Sequence, residues 1–170
     1  KLLTLAANKF AIMDPLGMGV EMEAGKPGWN DAMNGLPGMI GSGMPETFEL
    51  LRLLRYTRGA ITRAARSVEL WSELDALLSA ALEALEALGD DDGDDGASSD
   101  AAFEYCDTPR RALEEYRAAT SVYFAGSLVT WDAATRASAL AAFETKVEAG
   151  VAKALALNGG EIAPAYFAFP

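Results

Sequence analysis

The chain has 170 residues, 51% apolar and 23% charged, so it is long enough for one domain with a buried core and too apolar for general disorder. Its net charge of −11 repels phosphate backbones and anionic lipid, which argues against nucleic acids and membrane surfaces as partners. The sequence contains no apolar run of about 18 residues or more, so no membrane-spanning helix is predicted.

Short apolar segments separated by turn residues make up residues 1–24. The segments KFAIM and GVEME, on either side of DPLG, predict a short β-hairpin near the N-terminus. In residues 25–43 glycine and proline recur too often for a helix or a strand, so this stretch is predicted to be a long loop.

The first helix is predicted to begin near Pro45, because proline suits the first helical turn and Glu46 is favourable at the positive end of the helix dipole. Apolar residues are expected to form its inward face: Phe48, Leu51, Leu53 and Leu54. Arginines lie on or near its other side: Arg52, Arg55 and Arg58. Gly59 is expected to end or bend this helix.

The second helix has the clearest apolar periodicity in the chain. Apolar residues three or four positions apart form one stripe: Leu70, Leu74, Leu77, Ala81, Leu85 and Leu88. Gly89 is expected to cap this helix at its C-terminal end.

Residues 89–100, GDDDGDDGASSD, are predicted to form an acidic surface loop, because like charges repel and glycine and serine favour no ordered state. An EF-hand calcium loop is the alternative, but neither a start at Asp90 nor one at Asp91 supplies all the ligand and glycine positions that this loop needs. Residues 89–107 as a whole are interpreted as an insertion.

Two further helices are predicted in the second half of the chain. Thr108 is a plausible N-cap for the third, with Pro109 at its first position and Gly126 at its end. Thr130 can cap the fourth, and Asn158–Gly160 stops it. Apolar residues form a stripe along this fourth helix: Leu140, Phe143, Val147, Val151 and Leu155. The predicted fold class is therefore mainly all-α, with helices packed within one domain in preference to a leucine zipper.

The absence of histidine restricts the chemistry available to this chain. Histidine-activated serine or cysteine nucleophiles and histidine-ligated metals are excluded, so acid–base catalysis falls to carboxylates, lysine, tyrosine or cysteine. The single cysteine, Cys106, cannot form an internal disulfide and is expected to be a small apolar core residue. Together with the lack of a signal-peptide pattern, this favours a cytoplasmic location.

The best candidates for chemistry lie in and beside the glycine-rich loop. Carboxylates are frequent there: Glu21, Glu23, Asp31 and Glu46. Lys26 is the one base among them, Trp29 supplies a flat apolar face, and Asn30 and Asn34 supply hydrogen-bond donors and acceptors. An aromatic ring beside amides and carboxylates suits a sugar site, and acetal cleavage needs a carboxylic acid to protonate the departing oxygen.

The loop also admits two other interpretations. In the first, the tryptophan and the aspartate are structural, with the indole packed and the carboxylate capping a helix. In the second, the glycines hold a phosphate group, but GMIGSGMPE lacks the GKS or GKT of a nucleotide-binding loop.

A family resemblance sharpens the sugar hypothesis. The segment DPLGMGVEMEAGKPGWNDAMNGLPGMIGSGMPETFELLRLLR, residues 14–55, resembles cellobiose-phosphorylase-like proteins of glycoside hydrolase family 94. That family carries its general acid on the last aspartate of an Asp-Trp-Asn-Asp-Gly signature, and GWNDA here matches it at Trp29, Asn30 and Asp31. Gly28 and Ala32 depart from the signature at its two ends, which leaves sugar specificity and phosphorolysis open.

The resemblance implies an (α/α)6 barrel of helical hairpins, with Asp31 as general acid and Trp29 in contact with the sugar. The implied reaction is inverting phosphorolysis of a β-linked disaccharide or oligosaccharide, with inorganic phosphate as co-substrate and no other cofactor. Asn30, Asn34, Glu21, Glu23 and Glu46 are candidates for sugar contacts or for support of Asp31, and Lys26 for meeting phosphate or neutralising the carboxylates.

Such enzymes are several hundred residues long, so these 170 residues are expected to be one fragment of a catalytic domain, inactive without the remainder of the parent polypeptide. An inverting hydrolase on the same fold is the neighbouring alternative. A helical binding or structural module, in which the glycine loop only joins elements, is the alternative from a different functional class.

Overall fold

The computed structural model describes residues 1–14, 16–21, 41–89 and 99–168. These ranges contain five helices: α1 (Leu2–Phe10), α2 (Met44–Ala64), α3 (Ser72–Leu88), α4 (Ser99–Thr120) and α5 (Ala133–Leu157). They also contain five short strands: β1 (Val20–Glu21), β2 (Gly41–Gly43), β3 (Val68–Trp71), β4 (Leu128–Trp131) and β5 (Tyr166–Ala168). The strands form two antiparallel sheets, ordered β1-β2-β5 and β3-β4. The prediction of a mainly all-α fold is confirmed.

Helix packing forms the core. Helix α2 packs most extensively against α5, and α3 against α4. The rings of Phe10 and Phe143 stack with their centroids 4.1 Å apart, which joins α1 to α5. Leu54 and Leu140 are fully buried in the same cluster, where each contributes about 1.5–3 kcal/mol relative to an exposed side chain.

An ion-pair network ties α2 to α5. The nearly buried carboxylate of Glu144 accepts hydrogen bonds from Nε of Arg58 at 2.7 Å and from Nε of Arg55 at 3.3 Å. Arg55 also pairs with Glu148 through its Nη2. The arginine side of the helix, predicted to face away from the core, therefore borders the neighbouring helix, and Arg52 alone of the three pairs within α2, with Glu49.

Helix α2 follows its sequence signals at the start but not at Gly59. Gly43 is the extended N-cap and Pro45 lies in the first turn, as predicted. The helix continues through Gly59 to Ala64 and ends where Ala65 adopts a left-handed conformation. Phe48, predicted to face inward, is exposed, because the buried stripe of this helix runs instead through Thr47, Leu50, Leu51 and Leu54.

The predicted N-terminal hairpin is present in reduced form. Met13 and Val20 form an antiparallel bridge across the DPLG turn, but Lys9 and Phe10, predicted to be in a strand, end helix α1. Helix α1 was not predicted, since Leu2–Phe10 carries neither a side-chain N-cap nor an acidic first turn.

Two predicted helix boundaries are wrong because the residues concerned lie in the sheet β3–β4. Leu70, assigned to the stripe of the second helix, lies in β3, and Thr130, predicted to cap the fourth helix, lies in β4. Asp132 is the cap of α5, with its carboxylate accepting a hydrogen bond from the backbone nitrogen of Thr135 at 2.7 Å. The predicted ends at Gly89 and Asn158 are confirmed.

Helix α4 begins at Ser99, ten residues before its predicted first position at Pro109. Thr108 and Pro109 lie inside it, and it ends at Thr120, short of Gly126. Residues 99–107, interpreted as part of an insertion, are helical, and Tyr105 and Cys106 pack with Ala84 of α3. Residues 90–98, the core of the acidic segment, lie outside the described ranges.

In the portion of the chain that the structure describes, no helix combines the length and the apolar character needed to span a membrane.

Candidate functional site

The two ends of the glycine-rich segment are held side by side. In strands β1 and β2, here called the loop stem, Val20 pairs with Gly43 and Glu21 with Ser42. Strand β5 pairs with the other edge of β2. The segment between the two strands, residues 22–40, lies outside the described ranges, and with it most of the predicted site residues: Glu23, Lys26, Trp29, Asn30, Asp31 and Asn34.

A buried threonine connects the loop stem to helix α2. The hydroxyl of Thr47 accepts a hydrogen bond from the backbone nitrogen of Val20 at 3.0 Å and donates one to the carbonyl of Gly43 at 3.1 Å. Since Thr47 is fully buried, both bonds form away from competing water. The first turn of α2 thereby contacts both strands of the stem.

A second polar contact organises the turn that leads into β1. Asp14 is 0% exposed, and its carboxylate accepts backbone hydrogen bonds from Leu16 at 2.9 Å, Met18 at 3.1 Å and Gly19 at 2.5 Å. The nitrogen of Gly17 donates to the Asp14 carbonyl at 2.9 Å, which confirms the turn predicted at DPLG. Four hydrogen bonds to one residue fix the direction in which the chain enters the loop stem.

This turn lies directly against helix α5. A Cβ atom placed on Gly150 would lie 1.7 Å from the carbonyl oxygen of Gly17, so only a glycine allows the two backbones to approach this closely. Gly17 has a φ of +67°, the left-handed conformation that glycine adopts without strain. The position of the loop stem relative to the core therefore depends on two glycines distant in sequence.

Glu21 is the one residue of the predicted substrate-binding set that the described structure includes. It is about one-third exposed and forms an ion pair with Nη2 of Arg110, with 2.5 Å between nitrogen and oxygen. The same Nη2 donates to the carbonyl of Met13 at 3.1 Å. Burial raises the pKa of the Glu21 carboxyl above its ordinary value, and the neighbouring guanidinium opposes that rise.

Glu46, the other described carboxylate that the sequence linked to the sugar site, has a different partner. It lies in the first turn of α2 and pairs with Lys9 of α1. Glu21 and Glu46 are thus each engaged by a cation from a separate helix, and only Glu21 belongs to the loop stem.

Cys106 lies beneath the stem, where its thiol donates to the carbonyl of Met13 at a sulfur–oxygen distance of 3.9 Å. Burial raises the pKa of the thiol to about 12. The thiol therefore stays protonated at neutral and mildly alkaline pH, as expected for a core residue rather than a nucleophile.

We expect Cys106 to be unreactive in the native protein. At pH 8 a chromogenic thiol reagent should label less than ~5% of Cys106 in the time that it labels an unfolded control completely, since the unfolded thiol has a pKa of about 8.5. The measurement compares labelling rates with and without urea. Rapid labelling of the folded chain would contradict this buried, protonated thiol.

Three residues that contact or support the loop stem were not identified from the sequence as parts of the site. Arg110 was assigned only to a helix, and its partner Glu21 is too distant in sequence for any local pattern to pair them. Thr47 lies in the predicted start of a helix, and no local pattern links it to its partner Val20, 27 residues away. Asp14 carried a usable signal, because an aspartate at the first position of a turn accepts hydrogen bonds from nearby backbone nitrogens.

Among the described residues, no group of three or more His, Cys, Asp or Glu side chains is arranged to bind a metal ion. Comparison with known protein families, curated proteins and solved structures finds no match to this chain.

Proposed function

We propose that this chain carries the general-acid loop of a carbohydrate-active enzyme that cleaves β-glycosidic bonds with inversion. Asp31 protonates the departing glycosidic oxygen while inorganic phosphate attacks the anomeric carbon. The carbon–oxygen bond of the substrate breaks, a carbon–oxygen bond to phosphate forms, and a sugar 1-phosphate of inverted configuration leaves. No protein nucleophile is required, which suits a chain without histidine.

The observation that supports this proposal most directly is the pairing of Glu21 with Ser42. A general acid must be presented at a defined place, because misplacement by about 1 Å can cost 100-fold in rate. The segment carrying GWND leaves and re-enters the fold at adjacent strand positions, which are hydrogen-bonded to Thr47 and supported by the Asp14 turn. Such a stem is what a catalytic loop on a helical scaffold needs.

The remaining residues take roles that follow from their chemistry. Trp29 packs against the C–H face of a sugar ring, and the amides of Asn30 and Asn34 hydrogen-bond its hydroxyls. Glu21 and Glu23 orient the sugar or support Asp31, and Lys26 offsets the local negative charge or contacts phosphate.

The proposed architecture is an (α/α)6 barrel of helical hairpins to which this chain contributes. Two features support it: the described chain is mainly helical, and the consecutive helices α3 and α4 pack against each other as a helical hairpin does. The rest of the parent polypeptide would complete the barrel and supply the phosphate-binding residues.

Replacement of Asp31 tests the proposal. In the natural polypeptide that contains this sequence, Asp31→Asn should lower kcat for an unactivated β-linked disaccharide by about 100- to 10,000-fold, because asparagine cannot donate the proton. An aryl glycoside whose leaving group needs no proton should lose far less. Phosphate consumption and sugar 1-phosphate release are followed together.

Asp132→Asn is the matched control, since it makes the same chemical change at an exposed N-cap that asparagine also fills well. Unchanged activity of the Asp31 variant on the unactivated substrate would overturn the acid assignment. Sugar release that does not depend on phosphate would instead identify a hydrolase.

A further inference from the structure

The two-stranded sheet β3–β4 presents a face that the proposed reaction does not use. Side chains alternate along both strands, with Leu70 and Trp131 buried on one side. The other side is exposed and continues into the loop before β4, and we call it the aromatic face. Its members are Glu69, Trp71, Phe124, Leu128 and Thr130.

Aromatic rings dominate this face. Trp71 is 40% exposed and stacks on Phe124, which is 41% exposed, with ring centroids 5.0 Å apart. Tyr123, the adjacent residue, is 75% exposed. A stacked pair of aromatic rings left this open to water, beside the exposed Leu128, is a patch of the kind that marks an interaction site.

The aromatic face is held in place by backbone contacts. Trp71 pairs with Leu128 across the strands, and the nitrogen of Ser72 donates to the carbonyl of Ser127 at 3.0 Å. The carboxylate of Glu73 accepts a hydrogen bond from the nitrogen of Ala125 at 2.6 Å. The loop that carries the tyrosine and phenylalanine is therefore tied to the start of α3, and little ordering is needed when a ligand binds.

Polar groups flank the rings at fixed distances. Glu69 lies two residues from Trp71 on the same side of β3, about 7 Å away along the strand. Thr130 is the cross-strand partner of Glu69. An aromatic surface with a carboxylate acceptor and a hydroxyl beside it offers stacking for a sugar ring and hydrogen bonds for its hydroxyl groups.

The negative charge around the aromatic face favours a neutral sugar as its ligand over a nucleic acid or a second copy of this chain. Glu69 and Glu73 border the rings and the whole chain carries −11, so stacked nucleic-acid bases would bring their phosphates into a repulsive field. A second copy of this chain placed face to face would bring two more glutamates to the same surface. A neutral, polyhydroxylated ligand avoids both penalties, because its hydroxyls donate to carboxylates.

We propose that the aromatic face is a carbohydrate-binding surface for neutral β-linked oligosaccharides, separate from the loop stem. The choice of ligand rests on the proposed function, whose substrates are of the same class. Trp71 is the principal stacking residue, Phe124 extends the surface, and Glu69 accepts hydrogen bonds from the sugar. Such a surface would hold a long substrate on the enzyme between successive cleavages.

The test is a titration of the full chain with cellotetraose, mannotetraose and xylotetraose at millimolar concentrations. A Trp29→Phe background removes the indole of the loop, so that exposed Trp71 dominates the fluorescence change and calorimetry gives Kd independently. At least one tetramer should bind, and Trp71→Ala should weaken it by ~10-fold or more. Trp71→Phe, which keeps a ring, should lose less.

Tyr56→Ala is the matched control, because Tyr56 is likewise an exposed aromatic residue, lies on α2 and is outside the aromatic face. Its Kd should equal that of the parent. The proposal is overturned if none of the tetramers binds, if Trp71→Ala binds as the parent does, or if Trp71→Ala instead abolishes self-association seen by sedimentation. Circular dichroism of each variant excludes misfolding as the cause.

Failure of this proposal and failure of the proposed function give different results. Tetramer binding that needs Trp71, in a polypeptide without phosphorolytic or hydrolytic turnover, supports the surface and removes the catalytic proposal. Turnover that needs Asp31, without Trp71-dependent binding, supports the catalytic proposal and removes the carbohydrate-binding surface.

Discussion

Gly150→Ala should destabilise the protein by at least ~3 kcal/mol, with a fall in Tm of roughly 10 °C. The added methyl group would lie 1.7 Å from the Gly17 carbonyl oxygen and 2.5 Å from its carbonyl carbon. Both are backbone atoms, so a rotamer change cannot relieve the overlap, and either α5 or the Asp14 turn must move. Urea unfolding followed by circular dichroism measures the change.

Gly59→Ala is the control for this experiment, because it makes the same substitution within helix α2. Its Cβ would meet only the end of the flexible Arg63 side chain, at 3.3 Å. Alanine should there stabilise the protein by about 0.5–1 kcal/mol, since it is the better helix former. If both variants are stabilised, the turn does not lie against α5 as described.

Asp14→Ala should cost about 3 kcal/mol of unfolding free energy and disorder the entry to the loop stem. The substitution removes the acceptor for three backbone nitrogens, those of Leu16, Met18 and Gly19. Two of these bonds are buried, so the nitrogens that lose them find no replacement water without structural change. Asp14→Asn keeps one acceptor oxygen, so its free energy of unfolding should lie between those of the native protein and Asp14→Ala. Chemical denaturation gives the energies, and amide hydrogen exchange of residues 16–19 reports the local effect.

Asp132→Ala provides the comparison for Asp14. It also removes a carboxylate that accepts a backbone hydrogen bond, but at an exposed helix N-cap. Its expected cost is about 1 kcal/mol. Equal costs for the two variants would mean that burial of the Asp14 carboxylate contributes nothing.

The parts of the fold that the sequence predicted are those specified locally. Pro45 and Glu46 mark the start of α2, Gly89 marks the end of α3, and Asn158 stops α5, because each signal acts within one helical turn. Helix α1 lacks such signals and was missed.

The errors arose where distant contacts decided the structure. Leu70 fits the spacing of a helical stripe, yet it lies in a strand because β4 pairs with it from far along the chain. Pro109 looks like a helix start, but packing of Tyr105 and Cys106 on α3 extends α4 backward past it. Tertiary contacts of this kind override a local preference of a few kcal/mol.

The candidate site likewise combines residues that local sequence reveals with residues that only distant contacts bring into place. Residues of the GWND segment are predicted as site residues from their side-chain chemistry and from their resemblance to a family signature. Both can be read directly from the sequence. Arg110 and Gly150 lie instead against Glu21 and Gly17, which precede that segment, and only the folded chain brings these pairs together. No pattern within a short window connects either of them to Glu21 or Gly17.

The pairing of β5 with β2 has a consequence for how the protein acquires its loop stem. Tyr166 pairs with Gly43, so this contact closes a loop of most of the chain and has a high entropic cost. During synthesis, helices α1 to α5 emerge from the ribosome before the residues of β5 do. The edge of β2 beside the stem therefore stays open until α1 to α5 and the residues of β5 have been made, and only then can β5 pair with it.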